Sequence, residues 1–182
     1  AGIGAANNAL ETGITALVAT VKGSGVINIV ETDAIDLVSV TTADGSITVA
    51  SGGTLTATDV DSSTTDDDTN DISLTTTASD IAVVSINAGS AGDVTLTAAG
   101  AISELGTDAV DVIGDALTAT ATGPITLDTT VASIEANSTT SGAIDIDETD
   151  SIDLNNLATT DGTITIDAGG AITADGSTIS TN

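Results

Sequence analysis

The sequence predicts an all-β fold: a parallel β-solenoid, or β-helix, of about seven or eight coils of roughly 20–25 residues each, without an aromatic core. Three observations predict it. The apolar residues are small and mostly β-branched, they alternate with polar residues at period two, and the alternating segments recur in a long internal repeat.

Composition sets the first limit. The chain has 182 residues, 40% of them hydrophobic, yet it contains no Phe, Trp, Tyr, Met, Cys or His. Aromatic side chains bury the most area per residue and dominate ordinary cores. A core made only of Ile, Val, Leu and Ala suits a narrow, uniform interior, such as that of stacked coils that each touch only their neighbours. The formal net charge is −26, with Lys22 the single basic residue. High net charge favours disorder only when hydrophobicity is low, and here it is not. Phosphate binding needs Lys or Arg, so nucleic acid is excluded as a partner, and anionic membrane surfaces with it. No apolar run approaches the ~18 residues of a membrane helix, so membrane insertion is not expected. The N-terminal segment lacks the basic region and apolar run of a signal peptide. Without cysteine there is no disulfide framework or thiol chemistry.

The repeat gives the organisation. Residues 23–59, GSGVINIVETDAIDLVSVTTADGSITVASGGTLTATD, align without a gap on residues 140–176, TSGAIDIDETDSIDLNNLATTDGTITIDAGGAITADG, at an offset of 117, with 19 identities in 37 positions. The match reaches upstream, so residues 11–59 and 128–175 are copies of one 117-residue unit within a single solenoid segment, 1–182. In the first copy, alternating apolar pairs fall at Ile27/Ile29, Ile35/Leu37, Ile47/Val49 and Leu55/Ala57. In the second they fall at Ile144/Ile146, Ile152/Leu154, Ile164/Ile166 and Ile172/Ala174. Two strands 8 residues apart, recurring every 20, read as one coil. The alternation turns Asn28, Asp36, Thr48 and Thr56 outward. Asp44-Gly45 and Gly52-Gly53 mark turns, as do Asp161-Gly162 and Gly169-Gly170. Between the copies, Ile72/Leu74, Val94/Leu96 and Leu117/Ala119 continue the rhythm. First strands are therefore expected near 27, 47, 72, 94, 117, 144 and 164, all on one face. Residues 60–71 form an acidic inserted loop projecting from the rod. An antiparallel sandwich also accommodates strands at this spacing, but the near-identical 20-residue recurrence favours the solenoid.

The units GxIxIxExDxIxL and TTxDGxIxVxAGG resemble the repeats of giant bacterial surface proteins of the filamentous-haemagglutinin adhesin and autotransporter passenger type. The resemblance covers most of residues 11–59 and 128–175 and rests on repeat style. It implies a right-handed β-helix, an extracellular or cell-surface location, and a role in adhesion, surface layers or filaments. It carries over no functional residues.

Only the acidic positions offer chemistry. Asp59, Asp61, Asp66, Asp67, Asp68 and Asp71 crowd the inserted loop, and Asp147, Glu148 and Asp150 crowd a segment of the second copy. Calcium takes six to eight hard oxygen ligands, so these nine residues are the candidate calcium ligands. Neither the EF-hand spacing nor a GGxGxD nonapeptide is present, and a solvated acidic face is the competing reading. No cofactor is required, with Ca2+ the one candidate. No enzyme is expected. Glycoside hydrolysis would need a carboxyl of raised pKa in a cleft, with surfaces on which to stack substrate, and nucleophilic catalysis by Ser or Cys would lack its His. Threonine rows such as Thr118/Thr120 and Thr95/Thr97 admit an ice-binding array, though Asn28 and Asp145 are expected to interrupt it. The expected function is structural: a rod or filament-forming segment that associates with itself end to end. An adhesin stalk with calcium-stabilised acidic loops is the alternative, and divalent cations are the other expected partners.

Overall fold

In the computed structural model, all residues are described except Ala6, residues 107–109, Asp175 and Asn182, so the last residue of the second repeat copy lies outside the description. The described residues form strands and no helix, and every strand-to-strand ladder is parallel. Parallel neighbours here come from successive turns of one winding chain, so the fold is a β-solenoid of about eight turns. Each turn visits three faces. On the first, Ile27, Ile47, Ile72, Val94, Leu117 and Ile134 lie in register. On the second, Ile35, Leu55, Ile81, Ile102, Ile125, Ile144 and Ile164 do so. On the third, Val40, Val60, Ile86 and Val112 do so, and Thr129 follows. Eight steps at about 4.8 Å make a rod of roughly 38 Å.

The residues explain the ladders. Period-two alternation sends one row of each strand inward, and β-branched side chains pack well on a pleated wall. Ile27, Ile47, Ile72, Leu74, Ile81, Leu96 and Ile102 are all fully buried or nearly so. Each such side chain contributes about 1.5–3 kcal/mol of transfer free energy. The interior is narrow enough for aliphatic side chains from the three walls to fill it, which is why no aromatic is needed.

Coil length varies with what the chain inserts at the corners. First-face partners Ile27↔Ile47 are 20 residues apart, Ile47↔Ile72 25, Ile72↔Val94 22, Val94↔Leu117 23 and Leu117↔Ile134 only 17. The longest step contains the acidic loop, which leaves the wall after Val60–Asp61 and returns at Ile72. The shortest is spanned by Ile125–Ser138, one strand that runs across all three faces with no intervening turn.

One expectation is corrected here. Ile144 and Ile164 do not continue the first face. They stack on Ile125, and so on Ile35's column, whereas Ile134 and then Leu154 and Leu157 take the first face. The 117-residue unit therefore carries the chain through five full turns and one further face. Its second copy returns rotated by a third of a turn. The 17-residue coil contributes the slip: after the bend at Thr122 and Gly123 it runs from the second face through the third to the first as one strand.

Corners are closed by buried polar side chains. Ser51 Oγ donates to Asp33 O at 2.6 Å, Thr76 Oγ1 to Ser79 O at 2.5 Å, Ser138 Oγ to Gly123 O at 2.9 Å and Thr159 Oγ1 to Gly142 O at 2.7 Å. Where the backbone bends it cannot keep its own ladder bonds, and these hydroxyls satisfy the freed carbonyls. Among the described residues, no buried side-chain nitrogen or oxygen lacks a partner. Close approach of coils also demands glycine: a Cβ on Gly52 would sit 2.0 Å from Thr32 O, and one on Gly169, its counterpart in the second copy, 2.2 Å from Thr149 O.

Candidate functional site

The acidic loop is held by its own chain. Asp61 Oδ1 accepts from Ser63 N–H and Oγ–H, both at 2.7 Å. Asp67 Oδ1 accepts from Thr69 N–H at 3.1 Å and Oγ1–H at 3.0 Å. Both are short side-chain turns of the kind Asp favours in loops. Asp66, at φ 46°, reaches the next coil, where its carboxylate accepts from Ser90 Oγ–H at 2.7 Å and N–H at 2.6 Å and from Ala91 N–H at 3.0 Å. The Ser90 hydroxyl and these amides hold its pKa below the usual carboxylate range. Asp59 accepts from Ser39, and Asp71 from the Asp93 N–H. Beneath the loop Asn70 is fully buried: its Oδ1 accepts from Gly45 N–H at 2.7 Å and its Nδ2 donates to Thr65 Oγ1 at 2.8 Å. The loop is thus sewn to the coils on either side.

In the second copy the three candidates separate. Asp147 points outward on the second face, in register with Asp128 before it and Asp167 after it. Asp150 is exposed. Glu148 turns inward and is 4% exposed. Its Oε2 accepts from Thr129 Oγ1–H at 2.8 Å and Val131 N–H at 3.1 Å, and its Oε1 from Asp150 N–H at 3.2 Å. The first copy repeats the arrangement with the residues 117 earlier. Glu31 Oε2 accepts from Thr12 Oγ1–H at 2.7 Å and Ile14 N–H at 2.8 Å, and Oε1 from Thr32 and Asp33 N–H. The Ile14 amide above all, with Thr12 and the turn amides, holds the Glu31 carboxyl down to about 2 against the opposing effect of burial. Glu148 thus spends both oxygens on a corner of the solenoid. The signal for that role was in the sequence, because Thr12, Glu31 and Asp33 all recur at the same offset as Thr129, Glu148 and Asp150.

The described residues bring three carboxylates together at one place, and none of the three was singled out from the sequence: Glu104, Asp111 and Asp128, with ligand-type oxygens within 4.8 Å of one another. The nine sequence candidates do not converge in this way among the described residues. Asp111 is 4% exposed, and burial pushes its pKa up to about 6, with Glu104 and Asp128 adding repulsion. Burial also raises Glu104, followed by the charge of Asp128. The trio was not legible because its members lie in three separate segments that only the winding juxtaposes. Elsewhere, a shallow groove of about 410 Å³ runs beside the third face, lined by Ser90, Ile113, Gly114, Thr130, Val131 and Asp150 among others, and Asp150 is the one titratable residue among its described lining.

Compared with protein families, with characterised proteins and with solved structures, the chain matches none.

Proposed function

We propose that this chain is a structural module, a rod- or filament-forming segment of a repetitive extracellular bacterial surface protein, and that it associates with copies of itself end to end. The observation that carries the reading is the rotated repeat. Copies of one sequence unit lie on different faces, with Ile27–Glu31 on the first and Ile144–Glu148 on the second. A protein selected to present one ligand-binding face would keep its equivalent residues on that face. A rod needs only that every coil stack on the next. The end coils support the self-association: inner-row residues Leu10 at one end and Ile172 and Ile179 at the other are about half exposed, at 47%, 48% and 50%. A further coil stacked there would cover these residues and pair with their strands. The role is non-enzymatic and needs no cofactor.

Negative-stain microscopy of the purified chain, with sedimentation across a range of concentrations, tests this. Unbranched fibres one rod wide, lengthening with concentration, are expected. A monodisperse monomer without end-to-end contacts at high concentration sinks the proposal.

A second reading, an adhesin stalk stiffened by calcium, is favoured by one feature. Asp128, Asp147 and Asp167 stack in register on successive coils, and divalent cations would relieve the repulsion of such a ladder. A melting temperature unmoved by millimolar calcium removes it. The ice-binding alternative loses support from the same rotation, since Asp145 and the threonines of the second copy lie off the face that carries Thr95 and Thr118.

A further inference from the structure

Columns of paired residues can be followed along the rod in two ways. Followed by position, one outward column of the second face runs from Ala16 and Asp36 through Ser103 to Thr165. Followed by sequence unit, the column Ala16, Asp36, Thr56 answers at the offset of 117 to Ser133, Asp153, Thr173. The strand before it behaves alike, with Leu10, Ile29 and Val49 answering to Leu127, Ile146 and Ile166. Because the second repeat copy is turned by one face, the two ways part at the last coil. A further molecule stacked there can continue the positions, setting its Ala16 on Thr165, or continue the units, setting its Ala16 on Thr173.

We propose that molecules join by unit, so that Leu10–Thr12 of one molecule lies on Ile164–Ala168 of the molecule before it, and each molecule is turned by one face about the rod axis. This rests on the end-to-end association put forward above and names its register.

The corners decide between the two registers. In the last coil, residues 169–171 make a turn between Ile164–Ala168 and Ile172–Thr173, in which Gly169 N–H donates to Glu148 O and Gly170 N–H to Asp150 O of the coil below. In the first coil, residues 13–15 make the corresponding turn, between Leu10–Thr12 and Ala16–Ser24. Joining by unit puts turn on turn. It also puts Thr20 and Val21 on Ser180 and Thr181, strand on strand, as Asn137 and Ser138 lie on Ala158 and Thr159 within the rod. Joining by position would set the same two strand residues on Gly169 and Gly170, in a turn that cannot continue their ladder. The unit register also covers two exposed inner-row residues, Leu10 by Ile166 and Ile179 by Ala19. The short excursion between Ile3 and Leu10 is drawn to the outer side of the wall, where Asn28 Nδ2 donates to Ala5 O at 2.8 Å. Glu11 would lie over Asp167, a like-charge pair that salt screens.

The chain has no cysteine, so introduced pairs report the register. Residues paired on neighbouring strands lie about 4.8 Å apart, within disulfide reach. Fibres carrying Ala16→Cys with Thr173→Cys, oxidised at about 0.5 M salt, should give a ladder of covalent multimers on a non-reducing gel. Ala16→Cys with Thr165→Cys, also at exposed and uncharged positions, should give none. Within one molecule either pair spans the rod from its first coil to its last, so only a junction can join it. Image reconstruction of fibres of the unmutated chain should relate successive molecules by one face of the three. A ladder from the Ala16/Thr165 pair, no ladder from the Ala16/Thr173 pair, or molecules aligned face on face overturns the register and leaves end-to-end association standing. Absence of fibres from the unmutated chain overturns both.

Discussion

Replacing Glu148 with alanine isolates the corner that both repeat copies share. The side chain accepts three hydrogen bonds at 2.8–3.2 Å, from Thr129 Oγ1–H, Val131 N–H and Asp150 N–H, at a site 4% exposed. Hydrogen bonds to a charged group are each worth about 1.5–3 kcal/mol, and a buried donor left without a partner costs about 1–3 kcal/mol. Water can reach the Asp150 amide at the exposed side of the turn, but Thr129 is fully buried and Val131 nearly so. Two stranded donors plus the lost packing of one methylene give a destabilisation of about 3–5 kcal/mol. Glu148→Gln keeps one acceptor oxygen and turns an NH2 toward the remaining donors, so it should cost about 1–3 kcal/mol. Asp147→Ala, one residue away on the solvent face, should cost no more than about 0.5 kcal/mol, or should stabilise by relieving the Asp128–Asp147–Asp167 ladder. Urea unfolding by circular dichroism reads all three, provided the slope with denaturant is unchanged. If Glu148→Ala costs no more than Asp147→Ala, the carboxylate is not holding the corner.

Two further outcomes follow from the same geometry. Ile72→Ala empties a fully buried position between Ile47 and Val94 in mid-rod, and should cost about 3–5 kcal/mol in urea unfolding; a cost below about 1 kcal/mol would mean the walls collapse onto the gap. Glu31, whose pKa is lowered by folding, contributes stability that is complete above the model-peptide value of 4.5 and is lost as pH falls toward 2, so its NMR titration midpoint should lie near 2, and a midpoint at 4 or above refutes the amide cradle.

The sequence revealed the fold through features that act locally. Alternation at Ile27/Ile29 and Ile47/Val49 is a property of single strands, and stacking identical units in parallel is the simplest way to bury it. Rotation of the second copy was not legible, because it depends on one coil, 117–134, closing in fewer residues than its neighbours. Nothing in TATATGPITLDTTVASI announces that one strand will cross three faces, since beyond the bend at Thr122 and Gly123 the corners are passed in strand conformation, without a further glycine turn. The convergence of Glu104, Asp111 and Asp128 was hidden for a related reason. Composition located carboxylates in the loop and at 147–150, but whether a carboxyl points into a wall, into a turn or into another carboxyl is decided by its parity in the strand and by which coil lies beside it. Parity was readable for Glu148, two residues on from the inward-facing Ile146. Adjacency, which joins Glu104 to Asp111 and Asp128, was not.

The rotation also says what the repeat unit encodes. In the first copy, Thr12, Glu31 and Asp33 close the corner between the first and second faces; in the second, Thr129, Glu148 and Asp150 close the corner between the second and third. The register irregularity at Leu17/Val18 likewise recurs at Ile134/Glu135, one corner further round. The same residues therefore make the same bonds at two different vertices. That is possible only if the three vertices are close to equivalent and if each corner is specified by residues in its own coil and the adjacent one. A wall that must match a flat external target could not tolerate such exchange, because its outward residues would change with every slip. A load-carrying stack can, because what must be conserved along the rod is the inward row and the corner cap, and both survive rotation intact.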